Sequence, residues 1–311
     1  MNSSENAPGA ASFMDRNYFL LRRLHSLTGI VPIGVFLCVH LLTNSSVLWG
    51  AVAERGGHTG GWREGGVAYF TREVVWINEQ IPHLLLIEIT LWASIIFHSV
   101  LGIYYAASGK SNVSRYSYQG NWRYSLQRIS GYVGVAFILY HVGTLRWGWT
   151  FLVPGGTEWS YQFAASTLAA TLRGGNEGFT LAGVVVSLFY MISVGLLVFH
   201  FANGLWTAAI TWGLTVSDRA QRRWGVVCAG VGAALLLMGW GSVLGYALLD
   251  PTKARAVEEG AALPHDKTVI GPDKTWRGNR EGEHPLAEPG YPWPGTETAV
   301  TKESQEGPLQ R

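Results

Sequence analysis

Five long stretches of this chain are almost entirely apolar, and they limit its possible folds more than any other feature. A bilayer core about 30 Å thick is crossed by about 20 apolar helical residues, and a helix pairs its own backbone polar groups in lipid. The sequence therefore predicts an all-α integral membrane protein with five transmembrane helices. The predicted spans are Leu24–Leu48, Pro82–Ala106, Ile129–Leu145, Gly178–Thr215 and Gly225–Leu249. The fourth is too long for one perpendicular span, which predicts tilt or a helix that projects beyond the membrane.

The distribution of charge divides the chain into three parts. Only 14% of the residues are charged, and most of these lie outside the apolar stretches. We expect a polar cytoplasmic N-terminus over residues 1–18, a membrane domain over 19–249 and a polar, disordered extracytoplasmic tail over 250–311. The N-terminal part has no basic region followed by an apolar one, so no cleavable signal peptide is expected.

Charge and cysteine content argue against several classes of partner and site. The net charge is +2, and Lys and Arg form small loop clusters rather than one basic face, so a nucleic-acid partner is not expected. Cys38 and Cys228 each lie in an apolar stretch without a second thiol nearby. They predict neither a disulfide framework nor an iron–sulfur site.

The cations indicate how the chain lies in the membrane. Lys and Arg are enriched in cytoplasmic loops, which places the N-terminus in the cytoplasm and the C-terminus on the other side of the membrane. The cations expected inside are Arg16, Arg22, Arg23, Lys110, Arg115, Arg123, Arg128, Arg219, Arg222 and Arg223. Those expected outside are Arg55, Arg63, Arg72, Arg146 and Arg173.

Four of the five predicted spans carry one deep histidine each, and ionisable groups in lipid indicate a functional site. At about 1.5 Å of rise per residue, His40 lies about 24 Å along the first span. The direction of each span places His40 and His141 toward the outside, and His98 and His200 toward the inside. We call these the outer pair and the inner pair.

Paired imidazoles without a cysteine or carboxylate at the same depth favour bis-histidine haem iron over zinc or a di-iron centre. The ligand-bearing helices would form a haem-binding four-helix bundle, with the fifth helix peripheral. A single histidine in a span is more often a hydrogen-bonded core residue, but two pairs at two depths favour ligands. Close approach of a porphyrin requires glycine, and the candidates on the same helical faces are Gly29, Gly102, Gly134 and Gly204.

The stretches that contain the histidines also resemble a known family. They read FLLRRLHSLTGIVPIGVFLCVHLLTNS, IIFHSVLGIYYAASGKSN, YSYQGNWRYSLQRISGYVGVAFILYHVGTLRWG and VFHFANGLWTAAITWGLTVS. They resemble the single-subunit, five-helix, di-haem cytochrome b of the b558 type from bacterial succinate:menaquinone oxidoreductases and related fumarate reductases. The resemblance covers about Phe19 to Leu249, with several motifs in order.

This resemblance implies the function of a membrane anchor of succinate dehydrogenase. It implies two haem b groups, held by His40 with His141 and by His98 with His200, which are the pairs that depth also predicts. It further implies menaquinone as substrate and two partners, a flavoprotein subunit with FAD and an iron–sulfur subunit. Succinate would be oxidised on a partner subunit. The residues themselves leave open the direction of catalysis, the quinone type and the oligomeric state.

Further residues are candidates for the quinone and haem propionates. Glu88, the only acidic residue within a predicted span, is a candidate proton carrier for quinone. His25 shares a helical face with His40 and is a candidate for a propionate or quinone. The remaining candidates for these groups are Arg22, Arg23 and Arg128, with Asn44 and Trp206 as weaker pocket candidates. The structural alternative for Glu88 is a carboxyl that is neutral or hydrogen-bonded within the helix bundle. The structural alternative for the arginines is that they anchor helix ends at the membrane interface.

One departure from the family and three alternative functions remain. Some di-haem fumarate reductases carry a membrane glutamate two residues before the inner ligand and use it for transmembrane proton transfer. This chain has Val198 at that position, so we do not expect this proton transfer here.

The chain could instead be a haem b subunit of a fumarate reductase, hydrogenase or formate dehydrogenase, and the subunits that co-purify with it would distinguish these complexes. A haem-free anchor would lack a haem b spectrum. A transporter should show repeated halves or a polar path, and the sequence shows neither.

Overall fold

The computed structural model describes residues 12–53, 62–108 and 119–261, and within these ranges its long regular elements are all helices. The helices are α1 (Phe13–Arg16), α2 (Tyr18–Ile30), α3 (Pro32–Ala53), α4 (Trp62–Gln80), α5 (Leu84–Ser108), α6 (Gln119–Leu145), α7 (Ala164–Arg173), α8 (Leu181–Thr211), α9 (Asp218–Ala247) and α10 (Pro251–Ala261). Short 3₁₀ turns between α6 and α7 cover Thr150–Leu152, Pro154–Gly156 and Tyr161–Phe163. Among the predicted features, the tail beyond residue 261 and the loop cations Arg55, Lys110 and Arg115 lie outside the described residues.

Four helical segments of the described chain are long and apolar enough to cross a membrane. They are Tyr18–Val52, which joins α2 to most of α3, and the helices α5, α8 and α9. The expected fourth span is a helix of 31 residues, which is about 46 Å long at about 1.5 Å of rise per residue. The chain is therefore a multi-pass, all-helical membrane protein.

The third predicted span, Ile129–Leu145, lies within α6 but is not among these four segments. The helix has 27 residues, and its first half carries Arg123, Gln127 and Arg128. These polar residues reduce its mean hydropathy relative to the other long helices. Its second half is apolar around His141, as the sequence predicted.

The first span is interrupted between Ile30 and Pro32, where α2 ends and α3 begins. Proline has no N–H to donate within a helix. The bond next to the break survives, since the Val31 N–H donates to the Leu27 carbonyl at 2.8 Å. Helical backbone thus continues on both sides of the proline.

Large apolar side chains cover the outer faces of the long helices. Leu85, Leu181, Val226 and Leu237 are each at least two-thirds exposed. So many exposed large apolar side chains on long helices are uncommon on a soluble monomer, and contact with lipid accounts for them.

The chain divides into two compact units. One comprises Met1–Leu37, Leu85–Val133 and Leu197–Ala233, and it contains the inner pair of histidines. The other comprises Cys38–Leu84, Gly134–Leu196 and Ala234–Arg311, and it contains the outer pair.

Within the second unit, α4, α7 and α10 pack together into what we call the α4–α7–α10 cluster. Small residues permit the close packing, since Ala68, Ala165 and Ala254 are almost fully buried. Where the sequence favoured a disordered tail from residue 250, Pro251–Ala261 is thus helical. The local composition is polar, but packing against α4 and α7 stabilises the helix.

Glu258 of α10 lies fully buried inside this cluster. Its Oε1 accepts from the Ala165 N–H at 2.6 Å, and Oε2 accepts from the Ser166 N–H at 3.3 Å. These N–H groups lie in the first turn of α7, where helical N–H groups lack partners in their own helix. Burial raises the pKa of Glu258 to about 7, although the hydrogen bonds from Ser166 and Ala165 oppose this shift.

Candidate functional site

The structure brings His98 of α5 and His200 of α8 together as the inner pair. Their ring centroids lie 6.1 Å apart, and the ring planes are inclined at 77°. Both long helices are continuous here, so each imidazole projects from a rigid backbone.

Each imidazole of the inner pair contacts a backbone carbonyl through Nδ1. His98 Nδ1 lies 2.9 Å from the carbonyl of His25, and His200 Nδ1 lies 3.0 Å from that of Gln127. A carbonyl only accepts, so the proton of each neutral ring lies on Nδ1 and Nε2 keeps its lone pair. Histidines that bind metals are held in this tautomer by such partners.

The outer pair consists of His40 on α3 and His141 on α6. Their ring centroids lie 5.8 Å apart with an interplanar angle of 88°. His141 Nδ1 lies 3.3 Å from the hydroxyl oxygen of Tyr190, which is buried. Asn44 donates to the His40 carbonyl at 2.8 Å and lies 3.4 Å from His40 Nε2. The outer imidazoles therefore have side-chain partners, whereas each inner imidazole has a backbone carbonyl at Nδ1, and His200 Nδ1 also lies 3.2 Å from the Ser130 hydroxyl.

Both pairs have the spacing that one shared metal ion requires. A metal–imidazole bond is about 2 Å long. Two such bonds, together with the distance from each ligating nitrogen to the centre of its ring, separate the two ring centroids by about 6 Å. Among the described residues, no group of three or more His, Cys, Asp or Glu side chains is placed to hold a metal ion. Two protein ligands are too few for a structural zinc ion, but they are the number that haem iron takes from a protein in a bis-histidine site.

Glycines permit a close approach of other helices to the inner pair. A Cβ atom on Gly29 would lie 2.5 Å from Cε1 of His98, and one on Gly131 would lie 3.2 Å from Cε1 of His200. Gly29 was predicted to leave space at this depth. Gly131 was not, and Gly204 instead faces Gln127.

His25 lies against the inner pair. Its ring stacks on that of His98, with centroids 4.0 Å apart and planes inclined at 14°. Its Nδ1 is buried without a hydrogen-bond partner among the described residues, and so is the hydroxyl of Tyr105. The ring centroids of His25 and Tyr105 are 6.0 Å apart. These two polar groups suit a polar ligand group such as a haem propionate, because buried polar atoms are normally hydrogen-bonded.

The candidate arginines all contact protein groups. Arg22 lies over the Tyr105 ring at 5.2 Å, and Arg23 lies over the Trp212 ring at 5.8 Å. Arg128 donates to the Ala106 carbonyl. Arg22 is therefore the arginine closest to the polar groups around His25, and the other two contact the ends of neighbouring helices.

Glu88 lies half-buried near the start of α5. It precedes His98 by ten residues, which corresponds to about 15 Å along the helix axis. The helix therefore separates this carboxyl from the inner pair.

Sequence patterns did not single out a hydrogen-bonded chain of polar residues around His200. Gln127 donates through Nε2 to the His200 carbonyl at 3.1 Å, and its Oε1 accepts from Asn203 at 2.8 Å. Arg123 in turn donates to Asn203 Oδ1 at 2.6 Å. The available signal was polar residues within otherwise apolar helices, which usually have a functional or packing role.

One curated protein resembles the chain over about two thirds of its length. The succinate dehydrogenase cytochrome b558 subunit of Bacillus subtilis (strain 168) is 33% identical over 205 residues, which are 66% of this chain and 85% of that protein. No protein-family model and no solved structure matches the chain.

Proposed function

The chain belongs to the family of succinate dehydrogenase cytochrome b558 subunits, and from this premise we propose that it holds two haem b groups and carries electrons to quinone. Membership makes it a subunit of an oxidoreductase complex, and a cytochrome b subunit implies haem. In our proposal, His98 and His200 ligate the inner haem, and His40 and His141 ligate the outer one.

The observation that carries this proposal is the environment of the inner pair. The ring centroids of the two imidazoles lie at the separation for a shared iron, and both rings have Nδ1 on a backbone carbonyl. A histidine with a purely structural role in the helix bundle needs only a hydrogen-bond partner for its polar atoms. Two packing histidines would not be expected to share both the spacing and the tautomer of axial ligands.

Bound haem iron supplies one-electron transfer in such a site. The protein contributes the axial imidazoles, fixes their tautomer through the His25 and Gln127 carbonyls, and excludes water with apolar helices. His25 and Tyr105 would hold a propionate of the inner haem, with Arg22 nearby.

The same proposal covers the remaining parts of the complex. A flavoprotein subunit and an iron–sulfur subunit would dock on the cytoplasmic side and oxidise succinate, and electrons would pass through the inner pair and then the outer pair to menaquinone. The N-terminus would be cytoplasmic, and residues 19–249 would form the membrane domain. In it α6 would cross the membrane in addition to the four apolar segments, which makes five spans. The name of the relative favours succinate dehydrogenase over a hydrogenase or formate dehydrogenase.

Glu88 is the proposed proton carrier for quinone. A half-buried carboxyl in an apolar helix can exchange protons at a site from which bulk water is largely excluded. The substitution Glu88→Gln should lower quinone reduction while both haem spectra persist. Unchanged quinone reduction would assign this carboxyl a packing role.

Haem content tests the ligand assignment. The complex is purified with its partner subunits, haem per chain is measured from the reduced optical spectrum, and the measurement is repeated after His→Ala at each ligand position. We expect His40→Ala and His141→Ala to remove one haem, and His98→Ala and His200→Ala to remove the other. The control is His83→Asn, since His83 lies outside the pairs and asparagine tolerates its φ of 64°.

Two results would contradict the proposal. Loss of different haems from His40→Ala and His141→Ala would refute the pairing. Full haem content in all of the substituted complexes would refute ligation by these histidines.

A further inference from the structure

A cavity of about 590 Å³ lies between α6, α8 and α9 in the unit that contains the inner pair. It is separate from the space between the ligand imidazoles. A residue of an α-helix turns by about 100° relative to the one before it, so Phe199 and Trp206 lie about 100° or more around α8 from His200. Both line the cavity, which therefore opens on a different face of α8 from the ligand.

A fixed guanidinium forms one wall of this cavity. Arg123 lies over the Trp206 ring at 4.2 Å, and it donates through Nε and Nη2 to Asn203 Oδ1 at 3.0 and 2.6 Å. Its Nη1 makes no hydrogen bond within the described part of the chain. A second guanidinium, that of the exposed Arg222, lies at the cavity with the carboxylate of Asp218. The ionisable side chains lining the cavity therefore carry a net positive charge.

The neutral donors around the cavity are already bonded to protein. Trp206 Nε1 donates to the Gln221 carbonyl at 3.0 Å, and Gln221 Nε2 donates to the Thr215 carbonyl at 3.3 Å. Asn203 Nδ2 donates to Gln127 at 2.8 Å. The charged donors left for a ligand are those of the guanidinium groups. Such donors favour an anion over the neutral carbonyls of a quinone.

The lining changes from charged to apolar along α9. Asp218 and Arg222 lie in its first turns, and Gly225, Val226 and Cys228 follow. Gly225 leaves space beside Trp206, since a Cβ at this position would lie 3.5 Å from the Trp206 ring. Val226 is 74% exposed on the outer face of the helix. A charged end beside an apolar groove on a lipid-facing surface suits an amphiphile that lies along the helix.

We propose that this cavity binds an anionic phospholipid, with its phosphate at Arg123 and Arg222 and an acyl chain along the apolar part of α9. The positive charge attracts an anionic headgroup. The volume lies within the range of small-molecule sites, which is about 300–1,000 Å³.

The experiment measures lipid retention by the intact complex. The wild-type complex and variants are purified in detergent, exchanged into nanodiscs of phosphatidylglycerol and phosphatidylethanolamine, re-extracted and analysed by native mass spectrometry for bound lipid. Arg222→Gln removes one guanidinium without touching Asn203, and Gly225→Leu fills the cavity from α9. Arg223→Gln is the matched control, because Arg223 is a neighbouring exposed arginine that does not line the cavity.

We expect the wild type to retain phosphatidylglycerol in preference to phosphatidylethanolamine. A lost charge-assisted contact should weaken this retention by about tenfold in Arg222→Gln, and Gly225→Leu should abolish it. Arg223→Gln should match the wild type, and an unchanged haem spectrum shows that each variant is folded. Equal retention of both lipids, or equal retention in all variants, would overturn the proposal. Loss of bound quinone rather than phosphatidylglycerol from Gly225→Leu would overturn it in favour of a quinone site.

Discussion

His200 and Gln127 are joined by two hydrogen bonds that run in opposite directions. The imidazole Nδ1 of His200 lies 3.0 Å from the Gln127 carbonyl, and the side-chain amide of Gln127 donates to the His200 carbonyl at 3.1 Å. This reciprocal contact fixes one helix against the other at the position of a proposed axial ligand. Gln127 thereby sets both the rotation of the imidazole and its tautomer.

The substitution Gln127→Ala should weaken binding of the inner haem while the outer haem is retained. The carbonyl stays, but the bonds of the side chain to His200 and Asn203 are lost, so the helices are held less firmly. Loss of a partner that orients a metal ligand typically lowers affinity by about 10–100-fold, and because the carbonyl at Nδ1 stays, we expect the low end of this range. Haem dissociation to apomyoglobin measures the effect, and the outer haem serves as the internal control. Equal loss of both haems would indicate general unfolding instead.

Tyr190 should tune the outer haem in the same complex. Its hydroxyl oxygen lies 3.3 Å from His141 Nδ1. If the imidazole donates this bond, the bond makes it a stronger ligand and favours ferric iron, so Tyr190→Phe should raise the midpoint potential of the outer haem. One neutral hydrogen bond of about 1 kcal/mol corresponds to about 40 mV for one electron. Potentiometric titration of the optical spectrum measures this shift.

Tyr140→Phe is the matched control for Tyr190→Phe. Tyr140 packs near Tyr190, with ring centroids 6.2 Å apart, but its hydroxyl donates to the Leu152 carbonyl at 3.3 Å. Its removal should leave the outer potential unchanged. A shift of equal size in both variants would exclude a specific role for the Tyr190 hydroxyl.

The sequence predicted the histidine pairs better than it predicted their surroundings. Rise per residue and span direction are enough to place His40 with His141 and His98 with His200, because helical geometry is regular. Each inner imidazole has a backbone carbonyl at Nδ1. Every residue carries such a carbonyl, so no residue type could have indicated His25 and Gln127 as acceptors.

The α4–α7–α10 cluster could not be predicted for a different reason. Glu258 contacts Ala165 across 93 positions of the chain, and local periodicity contains no information about contacts at that separation. The polar composition of residues 250–261 is typical of a solvated segment, yet α10 is helical because packing outweighs local preference.

Gly29→Ala should prevent haem binding at the inner pair. The added Cβ would lie 2.5 Å from Cε1 of His98, a distance that requires the imidazole to move. An alanine is otherwise well tolerated in a helix, so the defect should be confined to the inner haem spectrum. Gly230→Ala is the control, because a Cβ there meets no atom within 4 Å. Normal inner haem content in Gly29→Ala would show that His98 does not need its present position.

The α4–α7–α10 cluster should loosen as the pH rises through 7. The pKa of Glu258 is raised to about 7 from its usual 4.5, so the folded cluster binds the proton more tightly than the unfolded one. Its contribution to stability is fully present below about pH 4.5 and is lost as the pH rises through about 7, and ionising the buried carboxyl costs about 3 kcal/mol. The protection of α7 and α10 in hydrogen–deuterium exchange, expressed relative to the intrinsic exchange rate at each pH, should therefore be lower at pH 8.5 than at pH 5.5. Glu258→Gln should remove this pH dependence. Glu259→Gln is the control and should keep it, since Glu259 instead pairs with Arg255 at 3.1 Å. Equal pH dependence in the wild type and Glu258→Gln would assign the effect to another group.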